Sequence, residues 1–276
     1  MKILNFYILF LILIASAQAQ TTLNQLFLNA NELFNNQKYF DAITEYKRVQ
    51  YFDTENHFSY ETNFRIGECY KAGLKLDDAI FYFGKALSYA DNEEKRYNIT
   101  VEIIKSNILR RTFTNAYSLI AAAKKTFNQE GKKQELNYWL GWAYMLDKKW
   151  EAAAKLFKKL EQDELTNLCN NVIDEEYPVT FTKLISYIVP GAGQIYTGYY
   201  LSGLMSLGWN ILWGYITFDA FMAERVFDGV VVANLLWFRF YRGNYQNAEK
   251  FAVEKNVKIY NNAYNYLMEK YKGKKP

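Results

Sequence analysis

The residues of this 276-residue chain that could do covalent chemistry are few and badly placed for it. His57 is the single histidine, so any nucleophile relay that depends on imidazole would have to run through it. It sits in "FDTENHFSYE", which reads as a connection, and a surface or capping role is expected there. The two cysteines, Cys69 and Cys169, fall in helical patterns where a buried free thiol is the commoner state; a disulfide is the alternative that secretion would permit. One histidine and two cysteines exclude by count a metal site built on several such ligands. "DNEEK" and "DEE" are acidic but lack calcium-loop spacing. The glycines of "GAGQIYTG" fall at 191, 193 and 198, giving G-x-G-x-x-x-x-G rather than G-x-G-x-x-G. No βαβ setting surrounds them and no Lys-Ser/Thr follows, so nucleotide binding is not expected. Asn98-Ile99-Thr100 is a glycosylation sequon that matters only in a glycosylating host. No catalytic, cofactor-binding or metal-binding residue is assigned, and an enzyme is not expected.

What remains must act by binding, and composition narrows the partner. Half the residues are apolar and 18% are aromatic, led by 24 Tyr and 20 Phe, with only three prolines to interrupt helices. The net charge of +4 is too mild for a nucleic-acid binder. That charge is uneven. From Gln20 to Lys183 there are 22 Lys/Arg against 23 Asp/Glu, and from Arg239 to Pro276 there are 9 against 3. The basic tail reads either as a solvated helix face with a frayed end or as a segment drawn to anionic lipid headgroups.

The opening "MKILNFYILFLILIASAQAQ" has a basic start, a short apolar run from Phe6 to Ile14, and small residues at Ala17 and Ala19. It reads as a secretory signal over 1–19, with an uncleaved anchor helix as the alternative.

From there to residue 176 a period is visible. Small residues recur at Ala42, Ala79, Ala116 and Ala153, each 37 residues after the last, and each is followed four later by a bulky one: Tyr46, Phe83, Ile120 and Phe157. Twelve residues before each alanine stand Ala30, Gly67, Ile104 and Gly141. A small residue in each helix of a pair lets the two backbones approach, and the larger residue one turn on fills the groove beside it. One pair cannot bury its own apolar face, so neighbours must stack. Gly67-Tyr70-Ala79-Phe83 and Gly141-Tyr144-Ala153-Phe157 resemble the tetratricopeptide repeat, as does Ala30-Ala42-Tyr46 with Leu33 in the tyrosine slot. The unit with Ile104 departs most. Each repeat carries about three residues beyond the usual unit, expected in the turn between repeats, with Asn92 to Arg96 a candidate. The resemblance implies four repeats presenting a groove to a peptide or partner protein; a spacer without a specific ligand is the alternative.

The character changes at "YIVPGAGQIYTGYYLSG". Leu184 to Phe218 is 35 residues without a charge, and Tyr199 to Phe218 is long enough to cross a bilayer. Gly203, Gly208 and Gly214 thin one helix side, and "DAFMAERVFDG" brings charges at a plausible turn. The return run, Val226 to Tyr241, is 16 residues, marginal for a span. "VPGAGQIYTGYYLSGL" resembles the Pro-Gly-x-Gly-Gln-x-Tyr-x-Gly motif of small bacterial domains with two transmembrane helices, some of which resemble or are fused to membrane-protein insertion efficiency factors. The motif residues are Pro190, Gly191, Gly193, Gln194, Tyr196 and Gly198. The glycines would permit a tight turn, and Gln194 would satisfy freed backbone groups at the membrane edge. A buried helical hairpin of a water-soluble protein is the alternative. Asn244 to Lys272 then reads as an amphipathic helix, with Tyr245, Ala248, Ala252, Ile259, Ala263 and Leu267 at helical spacing.

The expectation is an all-α chain: a signal peptide at 1–19, a tetratricopeptide-type helical solenoid at 20–176, a transmembrane helical hairpin at 177–243, and a basic amphipathic helix and tail at 244–276. Its expected role is a membrane-anchored scaffold in a bacterial envelope. It would sit at the inner membrane with its repeats in the periplasm, binding a protein or peptide in its groove and lipid at its hairpin, without a cofactor. Assistance to membrane-protein insertion or envelope assembly is the competing role. A tail that is basic and yet periplasmic runs against the usual bias of basic residues toward the cytoplasm.

Overall fold

The computed structural model describes residues 22–276, so the signal peptide expected at 1–19 lies outside the described residues. Those residues are all-α, with no strand among them. The chain divides within one helix, between Thr166 and Asn167, into two compact units; Lys274–Pro276 group with the first.

The first unit is a succession of helix pairs. They are α1 (22–35) with α2 (Tyr39–Phe52), α3 (Ser59–Ala72) with α4 (Leu76–Ser88), α5 (Glu93–Leu109) with α6 (Phe113–Thr126), and α7 (Glu130–Leu146) with α8 (Trp150–Lys159). α9 (Asp163–Glu175) follows and carries the division. The second helices start at Tyr39, Leu76, Phe113 and Trp150, each 37 residues after the last, so the sequence period is a period of structure.

The turn inside each pair repeats as well. Gln37, Leu74, Arg111 and Lys148 all take the left-handed conformation, with φ between 57 and 61°. The residue after each donates its backbone N–H five residues back: Lys38 to Leu33, Lys75 to Tyr70, Thr112 to Asn107 and Lys149 to Tyr144. These bonds fill carbonyls that a helix end leaves empty and offset the roughly 1–2 kcal/mol that a side chain costs at positive φ. The turns between pairs are less regular. Asn92–Arg96 is not a loop: Asn92 caps α5 by accepting the Lys95 N–H at 2.9 Å, and 93–96 form the first turn of that helix. The extra residues lengthen α5 and α7 to 17 residues, whereas before the 14-residue α3 they stand in the connection 53–58, as expected of a turn between repeats.

The packing has one recurring contact. Ala42, Ala79, Ala116 and Ala153 are buried, as are Tyr46, Phe83, Ile120 and Phe157. A methyl group built at Gly67 would stand 2.6 Å from the Phe83 ring, and one at Gly141 would stand 2.6 Å from the Phe157 ring. Each ring lies against its partner helix in space that a side chain would claim. Tyr70 stacks on Tyr82 at 5.4 Å, and Tyr144 packs on Tyr117 at 5.2 Å.

The second unit consists of α10 (Val179–Ile188), α11 (Ala192–Tyr196), α12 (Tyr200–Met222), α13 (Val226–Val232), a π-helical turn at Ala233–Trp237, and the long α14 (Phe238–Glu269). Among the described residues no helix is long and apolar enough to cross a membrane, so two crossing helices are not supported. The reason is compositional. α12 has the length, at 23 residues, but it spends positions on glycine, serine, Asn210 and Thr217. The return is broken: α13 is seven residues and passes through the π turn before α14 begins.

Filling the space that a missing side chain leaves should cost stability. Gly141→Ala is expected to lower unfolding free energy by about 1–3 kcal/mol, because the buried Phe157 ring stands where the added methyl group would be. Phe83→Ala, which empties the same kind of contact, is expected to cost roughly 3–5 kcal/mol. Urea denaturation of the full chain measures both; midpoints equal to wild type would show that these contacts do not hold the pairs.

Candidate functional site

The motif Pro190 to Gly198 forms a compact turn between α10 and α12. α10 stops at Ile188, as expected two residues before a proline. Gly191 has φ +92°, and a methyl group there would lie 2.2 Å from the Gly203 carbonyl oxygen. Only glycine meets both conditions. Gly193 is as tightly enclosed: a methyl group would fall 2.4 Å from both the Ser186 hydroxyl and the Thr182 carbonyl, and 2.7 Å from Ala248 Cβ. α10, α11 and α14 meet at this residue. Gly198 closes α11 at φ +82°. Tyr196 points outward and meets Tyr177 and Phe181 edge-on.

Gln194 is fully buried, and its amide donates to the Asn244 carbonyl at 3.1 Å. The turn is tied down chiefly by Asn244 itself, on α14. Its Oδ1 accepts from the Gly191 N–H at 2.7 Å and from the Ser206 hydroxyl at 3.0 Å. Its Nδ2 donates to the Ser186 carbonyl at 2.6 Å. One side chain thus joins the end of α10, the left-handed glycine and α12. Asn256 acts at the other end of α10: it accepts from the Tyr177 N–H and donates to the Tyr177 carbonyl, both at 2.9 Å. The two asparagines are twelve residues apart, about 18 Å along a helix, while the ten residues of α10 measure about 15 Å. α10 therefore lies antiparallel on α14 with both ends pinned by an amide. The sequence reading found Ala248 and Ala252 on α14 but not these asparagines. The stripe Asn244, Ala248, Ala252, Asn256 at every fourth residue was the available signal, and all four are buried.

The first unit carries a row of charged and aromatic side chains on the first helix of each pair. Arg65 lies over the Phe34 ring at 4.9 Å and pairs with Glu68 at 2.8 Å. Glu102 on α5 takes Lys71 from α3 at 2.8 Å and Lys105 at 2.7 Å, and Lys105 lies 4.6 Å from the centre of the Trp139 ring on α7. Burial pushes the Glu102 carboxyl upward, but the two lysines outweigh it and hold the group below its ordinary value of 4.5. Burial pulls Lys71 down, more than Glu102 props it up, so the pair contributes less than its geometry suggests. Along the same helices Lys95 covers Tyr60 at 4.3 Å and Lys132 covers Tyr97 at 5.0 Å. Both members recur 37 apart, a staple between successive pairs that the sequence reading passed over.

The residues considered for covalent chemistry stand apart from one another. The His57 side chain is half exposed beside Glu55, and its backbone N–H is held by the Asp53 carboxylate at 2.9 Å, which also takes the Phe58 N–H. Cys69 and Cys169 are free and buried, and burial pushes each thiol up to about 12, leaving negligible thiolate at neutral pH. Among the described residues no three His, Cys, Asp or Glu side chains are grouped to hold a metal ion.

Asn244→Leu should cost roughly 2–4 kcal/mol, since it leaves the Gly191 N–H and the Ser186 carbonyl buried without partners. Limited proteolysis of the full chain would show it as new cleavage between 186 and 206; a wild-type pattern would deny Asn244 its role. The Glu102 pair has a signed pH dependence. Its folded-state carboxyl is depressed, so its contribution is present above pH 4.5 and is lost as pH falls through the folded value. Glu102→Gln should therefore flatten the acid limb of a plot of urea midpoint against pH between 6 and 3; an unchanged slope would show that the triad is electrostatically silent.

No protein-family profile matches the chain, no curated protein matches it, and no solved structure matches it.

Proposed function

We propose that this protein is a scaffold attached to a membrane, which seats its second unit in lipid and offers its first unit to a protein partner. The observation that carries the reading is that the apolar helices of the second unit, α10 and α12, are built inside-out, while α14 buries Tyr260 and Leu267 in the ordinary way. On α12 the buried residues are Gly203, Asn210, Thr217 and Ala220, while Leu201, Leu204, Ile211, Tyr215, Phe218 and Met222 are exposed. On α10 Thr182 and Ser186 are buried, while Phe181, Leu184 and Ile188 face out. In water the arrangement is normally the reverse. Small and hydrogen-bonding residues inside with large apolar residues outside is how helices pack when their surroundings are hydrocarbon. An apolar face sunk into the interfacial layer needs no crossing helix, in keeping with the helices of this unit. The basic residues of the tail would add attraction to anionic headgroups.

For the first unit, the regular 37-residue pairs support a tetratricopeptide-type solenoid, and the row Phe34, Arg65, Glu68, Lys71, Glu102, Lys105 is its candidate partner face. Such a face recognises a protein segment by mixed charge and ring contacts, and attachment to the membrane raises its concentration near partners there. The expected signal peptide and a bacterial envelope setting, with the repeats in the periplasm, belong to the same reading.

The full chain is expected to float with phospholipid vesicles in a density gradient. Phe218→Asp combined with Phe227→Asp, both at exposed positions, should lower the vesicle-bound partition by about tenfold or more. Equal partition of the variant would sink the membrane half of the proposal. A photo-crosslinking residue in place of Arg65 should capture a protein partner in membranes of the native host, and one in place of Lys158 should not; equal capture at both sites would sink the scaffold half.

A further inference from the structure

The first unit exposes its large apolar side chains unevenly. Among its described residues every exposed one lies at or before Tyr89, and none lies on the third or fourth pair. Most stand on the second helices of the first two pairs: Phe40, Tyr51 and Phe52 on α2, and Phe81 and Leu87 on α4. Phe40 is 83% exposed and Tyr51 79%, far from the burial usual for such rings. The three on α2 border a cleft of about 580 Å³, with Tyr70 and Lys75 on its other side. The cleft is also cationic: Lys47, Arg48 and Lys75 line it, and no carboxylate does. Arg48 is paired with Glu45 at 2.9 Å, whereas Lys47 and Lys75 have no ion pair among the described residues. Lys47 lies 5.8 Å from the centre of the Tyr82 ring, and Lys85, also without an ion pair, lies 5.2 Å from the same ring.

Ammonium groups gathered around one ring repel each other, and a cleft between low-dielectric walls sharpens the field they make. An occupant that carries negative charge relieves that repulsion, and one with a large apolar side chain takes the α2 rings out of water. The shape favours a linear occupant. Phe40, Thr44, Lys47 and Tyr51 recur at helical spacing along the cleft, and the stretch from Phe40 to Phe52 runs about 18 Å, the length of five or six extended residues. A cleft bounded on two sides suits such a segment better than it suits a broad lipid plane. We propose that this cleft binds an extended, acidic segment of a partner protein that carries at least one large apolar side chain. Carboxylates of the segment lie on Lys47 and Lys75, and its apolar side chain packs on the rings of α2. The face belongs to the second helices. It is separate from the row on the first helices between Arg65 and Lys105, and it does not depend on the contact of the second unit with lipid.

The test is a selection of random displayed peptides against the full chain, held in a neutral sugar detergent. The selected pool should be enriched in Asp and Glu around at least one Phe, Tyr, Trp or Leu. The most enriched peptide, synthesised with a fluorescent label, should bind the full chain in an anisotropy titration. Lys47→Glu combined with Lys75→Glu, both at exposed positions, should weaken that binding by about tenfold or more, because each reversal sets like charges against each other. Lys155→Glu combined with Lys158→Glu makes the same change of net charge on the exposed side of α8 and should leave the affinity within about twofold, since distant surface charges are screened. Phe40→Ala combined with Tyr51→Ala, which removes rings that pack on little, should weaken binding while leaving its charge dependence in place. A pool without acidic enrichment would overturn the proposal. So would an affinity undiminished by reversal at Lys47 and Lys75, or diminished equally by reversal on α8. If reversal at Lys47 and Lys75 instead lowers the partition onto anionic vesicles and leaves peptide binding unchanged, the occupant is a lipid surface and the proposal fails. Crosslinking through position 65 reads the other face, so either face can fail without the other.

Discussion

In two of the four helix pairs of the first unit, and again in the second unit, helices meet where one of them has no side chain to interpose. Phe83 and Phe157 lie on the backbone at Gly67 and Gly141, at distances a methyl group would not survive. The second unit uses the same constraint without the ring: the Gly191 and Gly203 backbones touch each other, and Gly193 admits Ser186, Thr182 and Ala248 at once. Everything else is arranged around these approaches. In the first unit they set the spacing within the second and fourth pairs, where Ala30 and Ile104 hold the matching place in the first and third, and a left-handed residue turns the chain back within every pair. In the second unit they bring backbone groups so close that amides must be supplied to bond them.

That difference separates the two units chemically. The first has a core of aromatic and aliphatic residues, and on its first helices Lys71, Glu102 and Lys105 bridge one pair to the next. On α10 and α12 the second keeps amides and hydroxyls inside and turns Leu, Ile, Phe and Tyr outward. In water an interior of hydrogen bonds is a weak source of stability, since each replaces one already made with solvent. Against hydrocarbon the comparison changes, because the unpaired state has no water to return to. Asn244, whose side chain bonds to three other segments, is the residue on which that interior turns.

Much of the first unit was legible in advance because its packing is local and repeated. A small residue and a bulky one four later announce a helix face, and a constant interval of 37 announces that the face recurs. The turn residues were not legible. Gln37, Leu74, Arg111 and Lys148 share a conformation but no chemistry, since the hydrogen bonds of the helix end impose the left-handed angle and any residue can be driven into it. The Asn92–Arg96 segment misled for a related reason: Asn92 reads as a turn former, and it is one, but as a cap that starts a helix.

In the second unit the sequence by itself determined where glycine was compulsory and where charge was absent, because backbone angle and hydropathy are properties of single residues and short runs. Only the tertiary structure decided which of the polar residues face inward. Asn244 and Asn256 stand on a helix whose periodicity permits several orientations, and their roles depend on segments 38 to 79 residues away in the chain. A hydrogen bond between distant segments leaves no trace in local spacing. Whether a helix of mixed glycine, serine and leucine buries its small face or its large one is settled by what packs against it.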